Sequence, residues 1–114
     1  MAASIPDDES ALAELLVQDQ ETLLVAGHGG MIVGALIAAW DGWRGNMYRL
    51  AVLPDQRRKG IALRLVSEGE ERLRARGARR ISALVAEADE PAASLWRAAG
   101  YSLDENVGRF VRNI

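Results

Sequence analysis

The sequence LAVLPDQRRKGIALRLVSEGEERLRARG, residues 50–77, joins an apolar segment to a helical pattern through a short basic turn. Residues 47–53 carry enough apolar and branched side chains for a buried strand. Pro54 and Asp55 end it, because proline cannot donate to a strand ladder and Asp favours turns. Gly77 is expected to stop the helix. One helix face is predicted to be buried, since its small or apolar residues recur at spacings of three and four: Ala62, Leu65, Val66, Gly69 and Leu73.

The turn between strand and helix has the features of an anion site. A helix N-terminus leaves its first four N–H groups unpaired and carries roughly half a positive charge. Gly60 has no Cβ, so a bulky anion can reach the backbone there. Arg57, Arg58 and Lys59 add positive charge, and arginine can fork onto phosphate oxygens. The turn therefore predicts a site for a diphosphate, with a solvated basic turn as the alternative.

Two segments resemble signatures of one family. Residues 57–62, RRKGIA, resemble the R/Q-x-x-G-x-G/A signature of the GNAT superfamily of N-acetyltransferases. Residues 89–101, DEPAASLWRAAGY, resemble its second signature, N-x-x-A-x-x-L-Y-x-x-x-G-F. The two stand in the family's order and at ordinary spacing, so the pair is far more specific than either alone.

The resemblance implies the acyl-CoA N-acyltransferase fold, shortened at its N-terminal end. This is an α/β (α+β) fold with a mixed, mostly antiparallel central sheet, flanked by helices and splayed open at a parallel strand pair. The length of 114 residues favours a single domain, 1–114, around one core.

The remaining pattern predicts further elements along the chain. An acidic, Leu-containing segment predicts a helix over 6–17. Apolar runs at 21–26 and 31–39, joined by Gly27-His28-Gly29-Gly30, predict a hairpin. A strand is predicted over 81–85, a helix capped by Asp89 follows, and a closing pair of strands is predicted over 101–103 and 107–112.

The resemblance also implies acetyl-CoA as a co-substrate held between the two splayed strands. The amides of its pantetheine arm are expected to pair with the strand edge at 50–52, and its diphosphate to lie on the N–H groups of residues 58–63. The residues expected to bind the cofactor are Leu50, Ala51, Val52, Arg57, Arg58, Lys59, Gly60, Ile61, Ala62, Leu63, Asp89 and Trp96.

The catalytic groups depart from the family's usual set, because Trp96 stands where the family's proton-donating tyrosine would be. An indole N–H is too weak an acid for that role. Three alternatives remain open: Tyr101, Tyr48 or water donates the proton, positioning alone suffices, or the domain binds coenzyme A without turnover. For the general base, Glu87 and Glu21 are the candidates. The catalytic set expected from the sequence is Glu87, Glu21 and Tyr101.

The implied activity is that of an N-acetyltransferase, an acyltransferase of EC 2.3.1 type. It would transfer acetyl directly, in a ternary complex, to an amine of a small molecule, a protein N-terminus or a lysine. The alternative is an acyl-CoA-binding or regulatory module with weak or no catalysis, and a third reading is a structural or nucleic-acid-binding domain.

Composition bears on partners and location. The net charge of −2 argues against nucleic acid, and one His with no Cys argues against a metal site. No apolar run approaches a membrane span of about 20 residues. The segment MAASIPDDES lacks the order of a secretory signal, so a cytoplasmic protein is expected. A C-terminal strand is free to pair between copies, which makes a homodimer a candidate state.

Overall fold

The computed structural model describes residues 22–86 and 88–114. Within them the chain forms the strands β1 (Leu23–His28), β2 (Met31–Trp40), β3 (Gly45–Val52) and β4 (Ile81–Ala83), and the α-helices α1 (Ile61–Ala75) and α2 (Glu90–Ala98). A short 3₁₀ turn, Pro54–Gln56, lies between β3 and α1. The helix predicted over 6–17 lies outside the described residues.

The four strands form one sheet in the order β1-β2-β3-β4. The pairs β1–β2 and β2–β3 are antiparallel, whereas β3 and β4 are parallel. The predicted mixed, mostly antiparallel sheet with one parallel pair is therefore what the described residues form.

A two-residue turn closes the first hairpin. Gly29 and Gly30 both have positive φ, +59° and +81°, and His28 pairs with Met31 on either side of them. Two consecutive positive φ angles suit a hairpin whose turn twists with its strands, and glycine adopts them without strain. The predicted hairpin is confirmed, although its link is shorter than expected because Gly27 and His28 continue β1.

Helix α1 packs closely on the sheet through the predicted face, of which Leu65, Val66, Gly69 and Leu73 are buried. A Cβ on Gly69 would lie 2.9 Å from the sulfur of Met47 and 3.2 Å from a methyl carbon of Leu36. A glycine here lets the helix approach the sheet. Each buried Leu or Val contributes about 1.5–3 kcal/mol, so this contact fixes where the N-terminus of α1 lies.

The parallel pair is short. β3 and β4 pair only at Gly45 with Ile81, Asn46 with Ser82, and Met47 with Ala83. One further backbone bond runs from the N–H of Leu84 to the carbonyl oxygen of Met47, at 3.0 Å. Beyond it the two strands separate, as the splayed sheet requires. β4 is thus two residues shorter than the predicted 81–85 strand.

Helix α2 begins at the predicted cap. The carboxylate of Asp89 accepts a hydrogen bond from the N–H of Ala92 at 3.1 Å, and Pro91 lies in the first turn. Both features stabilise a helix start. The cap supplies an acceptor for an unpaired N–H, and proline has no N–H that would need an acceptor.

The closing strands predicted over 101–103 and 107–112 are wrong. Residues 101–114 contain no strand, and Phe110 and Val111 are largely exposed. An alternating apolar pattern becomes a strand only when another strand accepts its hydrogen bonds. None of the described backbone bonds joins residues 102–114 to the sheet, and an isolated pair of strands is at best marginally stable in water.

Candidate cofactor cleft

A cleft of about 1070 Å³ opens where β3 and β4 separate, bounded by the turn before α1 and by α2. All the residues predicted to bind the cofactor line it, except Lys59. Lys59 instead donates from Nζ to Oε1 of Gln56, at 3.1 Å. It lines a second cavity of about 550 Å³, between the hairpin and α1, together with His28 and Arg64. The structure therefore gathers the predicted set at one place, with a single exception.

The turn presents a run of unpaired backbone donors. The N–H of Arg57 donates to the carbonyl oxygen of Pro54, and that of Arg64 to the carbonyl oxygen of Gly60. Between them, the N–H groups of residues 58–63 have no acceptor among the described residues, and no side chain caps α1. Unpaired donors at a helix N-terminus favour an anion.

Gly60 leaves the space beside these donors open. It is the residue that caps α1, with φ of +79°, and a Cβ built there would meet no atom within 4 Å. The left-handed backbone favours glycine at this position. A larger side chain would therefore be strained and would also project into open space beside the donors.

The charges at the mouth of the cleft are mainly positive. Arg57 donates from Nε to the carbonyl oxygen of Val52 at 3.1 Å, which holds its guanidinium along the end of β3. Arg58 is exposed and has a positive φ of 65°. The only acid among the described lining residues is Asp89, whose carboxylate caps α2. A negatively charged ligand therefore meets little negative charge at the mouth of the cleft.

A bulge shapes the strand that borders the cleft. Arg49 has φ of +57°, and Arg49 and Leu50 together lie opposite the single residue Leu36 of β2. Such a bulge bends its strand. The N–H of Leu53 donates to Val33 in β2, and neighbouring residues of a strand direct their polar groups to opposite edges. Val52 therefore directs its backbone groups towards the cleft.

Trp96 forms part of the cleft wall and of the core at once. It is 5% exposed and belongs to the cluster that includes Met47 and Leu65. The ring of Tyr101 meets it edge-on, with centroids 5.0 Å apart. Such aromatic pairs contribute about 0.5–1.5 kcal/mol beyond burial. The packing accounts for Trp96 without a proton-transfer role.

The hydroxyl of Tyr101 makes its hydrogen bond outside the cleft. It donates to a carboxylate oxygen of Glu70 on α1 at 2.7 Å, and Tyr101 is not among the residues that line the cleft. Burial, and then the hydrogen bond to Glu70, raise the pKa of Tyr101 well above its usual range. A catalytic role for Tyr101 stays a prediction, and the geometry gives it a structural one.

The two predicted bases, Glu21 and Glu87, lie outside the described residues, so their roles stay predictions. Sequence reasoning missed the bulge at Arg49 and the partner of Tyr101. Nothing local indicates that Glu70 and Tyr101 meet, because 31 positions separate them. A strand-breaking signal at Arg49 is also absent, since arginine is ordinary in strands.

Within residues 22–86 and 88–114, no cluster of three or more His, Cys, Asp or Glu side chains is placed to hold a metal ion. The same part of the chain has no helix long and apolar enough to cross a bilayer. The expected absence of a metal site stays a prediction of the sequence.

Comparison with known families identifies the fold and the chemistry together. The family model described as "Acetyltransferase (GNAT) family" matches residues 2–101. The chain belongs to the GNAT acetyltransferase family. An acetyltransferase of Yersinia pestis (strain Pestoides F) is 34% identical over 101 residues, which cover 89% of this chain and 72% of the relative. The chain is thus an acetyltransferase of EC 2.3.1 type, and its family uses acyl-CoA.

Solved structures of other proteins share this fold. The Ard1 protein of Thermoplasma volcanium superposes with a TM-score of 0.79 at 15% identity, over 91% of this chain and 71% of that protein. An aminoglycoside N-acetyltransferase in complex with coenzyme A gives 0.68 at 17% identity, over 93% and 91%. At these identities the likeness concerns the fold, and it confirms the predicted fold class.

Proposed function

We propose that this GNAT protein transfers acetyl from acetyl-CoA directly to a primary amine, with both substrates bound together. The observation that carries the proposal is the run of unpaired N–H groups at residues 58–63, which opens onto a cleft beside β3. A diphosphate needs several converging donors and room to approach them, and Gly60 leaves that room. The site therefore fits the diphosphate of coenzyme A.

Different residues would bind different parts of this co-substrate. The N–H groups of residues 58–63 would bind its diphosphate, with Arg57 and Arg58 adding charge. The backbone of residues 50–52 would pair with the amides of its pantetheine arm. Bound there, acetyl-CoA supplies an acetyl thioester for transfer. The chain contributes positioning and backbone donors that polarise the carbonyl, both of which accelerate acyl transfer.

The acceptor is an amine of a small molecule, a protein N-terminus or a lysine side chain. A neutral amine is the nucleophile, so a base must take its proton. Glu21 and Glu87 remain the proposed bases. Cytoplasmic location and a homodimer stay predictions of the sequence.

A second candidate function is a module that binds acyl-CoA without turnover. The buried Trp96 favours it, because the indole fills the position of the family's usual proton donor. This alternative shares the cofactor site and differs only in the chemical step.

Binding is tested by thermal unfolding with acetyl-CoA, and with pantetheine, which lacks the acetyl group, the diphosphate and the nucleotide. A ligand at 100 times its Kd stabilises a fold by about 2.7 kcal/mol. We expect acetyl-CoA to raise the Tm and pantetheine at equal concentration to raise it far less. Equal shifts would contradict binding of the diphosphate at the turn, and no shift would contradict both candidate functions.

Release of free thiol with a panel of amines separates the two candidates. The panel contains an aminoglycoside, a polyamine, an amino acid and a peptide with a free N-terminus. Thiol release above the rate of acetyl-CoA hydrolysis with any of them supports transfer. Binding without release from the whole panel supports the module.

A further inference from the structure

Acetyl transfer requires a group that gives a proton to the departing sulfur. The inference about this group rests on the proposed function. A bond forms between the amine nitrogen and the acetyl carbon, while the carbon–sulfur bond breaks with its electron pair on sulfur. The amine loses a proton to a base and the sulfur gains one. The open question is which group of this chain supplies the second proton, since Trp96 cannot.

The described residues that line the cleft include few groups that could donate this proton. A suitable donor needs a pKa not far above that of a thiol, about 8.5, and a phenol at about 10 meets this condition. Serine hydroxyls and indoles are far weaker acids, and arginine does not deprotonate in proteins. Among the described lining residues Tyr48 is the only phenol. The charged groups that line the cleft with it, within that part of the chain, are Arg49, Arg57, Arg58 and Asp89.

Tyr48 lies where the strands separate. Met47, the residue before it, makes the last pairing contacts between β3 and β4, and Arg49, the residue after it, begins the bulge. Tyr48 is therefore the first residue of β3 beyond the parallel pair. Tyr48 is accordingly among the residues that line the cleft.

The ring of Tyr48 is held while its hydroxyl remains available. The side chain is partly buried and packs against the cluster of Leu23, Ala35 and Ile37 on the sheet. Its hydroxyl makes no hydrogen bond to any described residue. Tyr101 is the opposite case, because its hydroxyl already donates to Glu70 outside the cleft.

From these placements we infer that Tyr48 is a catalytic residue, whose hydroxyl gives its proton to the sulfur as the thioester breaks. The phenol then regains a proton from solvent. The inference assigns proton donation to β3, at the point where it separates from β4.

The test compares Tyr48→Phe with Tyr101→Phe, which removes the same atom outside the cleft. A general acid contributes about 100-fold or more to the rate. With the amine of the panel that gives the highest rate, we expect kcat of Tyr48→Phe to fall by about that factor. The KM for acetyl-CoA and the Tm shift with acetyl-CoA should stay unchanged. Tyr101→Phe should lower kcat far less than Tyr48→Phe does, and it should leave the thiol titration described next unchanged.

A second readout does not depend on turnover. A hydroxyl that donates to the sulfur stabilises the thiolate and lowers the pKa of the bound thiol. The thiolate absorbance of bound coenzyme A, titrated against pH, should therefore shift to higher pH in Tyr48→Phe, by about one unit if one charge-assisted hydrogen bond is lost.

The outcomes separate this inference from the proposed function. A wild-type protein that does not bind acetyl-CoA refutes the proposed function. A wild-type protein that binds it, with a thiol titration unchanged in Tyr48→Phe, refutes the role of Tyr48 alone. A fall in kcat without a shifted titration also refutes it, because lost packing would explain that result.

Discussion

The two ends of the cleft differ in the part of the chain that each presents. At the mouth, residues 58–63 present backbone N–H groups beside a glycine, with arginines around them. At the inner end, Tyr48 and Trp96 present side chains. Backbone donors tolerate many side chains, whereas a proton donor depends on one atom of one residue. We therefore expect the mouth to keep its backbone donors through sequence changes that would alter the inner end.

The largest expected effect on acetyl-CoA affinity comes from a substitution at the mouth of the cleft. Gly60→Glu adds bulk and negative charge beside the unpaired donors, so we expect acetyl-CoA affinity to fall by about 100-fold or more, equivalent to losing about two charge-assisted hydrogen bonds. Isothermal titration with acetyl-CoA measures the change.

Gly77→Glu is the matched control for this change. Gly77 also has a positive φ, +109°, and a Cβ there meets no atom within 4 Å. It lies beyond the C-terminal end of α1 and does not line the cleft. Both variants place a side chain at a positive φ, so an equal loss of affinity in both would show that the effect comes from backbone strain and not from the position of Gly60.

A smaller effect is expected from the contact behind the inner end. Tyr101→Phe removes the hydrogen bond to Glu70, and we expect a loss of about 1 kcal/mol in the free energy of unfolding. The pKa of Tyr101 is raised in the folded protein, so the folded state holds this proton more tightly than the unfolded state. The hydroxyl's contribution is therefore complete below about pH 10 and is lost as the pH rises above that value.

Urea unfolding between neutral and alkaline pH measures this slope. The wild-type protein should lose stability at alkaline pH more steeply than Tyr101→Phe does. Parallel curves for the two proteins would contradict the hydrogen bond as a source of stability.

The smallest expected effect on acetyl-CoA affinity comes from removing one side-chain charge at the mouth, where the backbone donors remain. Arg58→Asn removes one exposed charge from the cleft, and asparagine tolerates the positive φ of 65°. We expect acetyl-CoA to bind about three- to fivefold more weakly, since one exposed ionic contact contributes at most about 1 kcal/mol. The difference should shrink at high salt.

Arg79→Asn serves as the control for charge, because Arg79 is exposed and does not line the cleft. If both variants weaken binding equally, the net charge of the protein matters and the position of Arg58 does not. A loss in Arg58→Asn as large as that in Gly60→Glu would show that side chains dominate the mouth.

Sequence reasoning succeeded where the physics is local. The turn at 57–62 was predicted because a strand end, a glycine and a helix start follow one another within a few residues. The cap at Asp89 was predicted for the same reason, as its carboxylate bonds three positions ahead. The length of β4 and the absence of strands over 101–114 were not predicted, since pairing depends on neighbours elsewhere in the chain.

The amino-acid sequence alone determined the turn with its unpaired backbone donors, because helix geometry leaves the same donors unpaired wherever such a turn forms. It also carries the two signatures of the family. The tertiary structure decided which tyrosine faces the cleft. The hydroxyl of Tyr101 donates to a glutamate 31 positions away, whereas the hydroxyl of Tyr48 has no hydrogen bond to a described residue. Contacts between distant residues set these environments, and no local pattern encodes them.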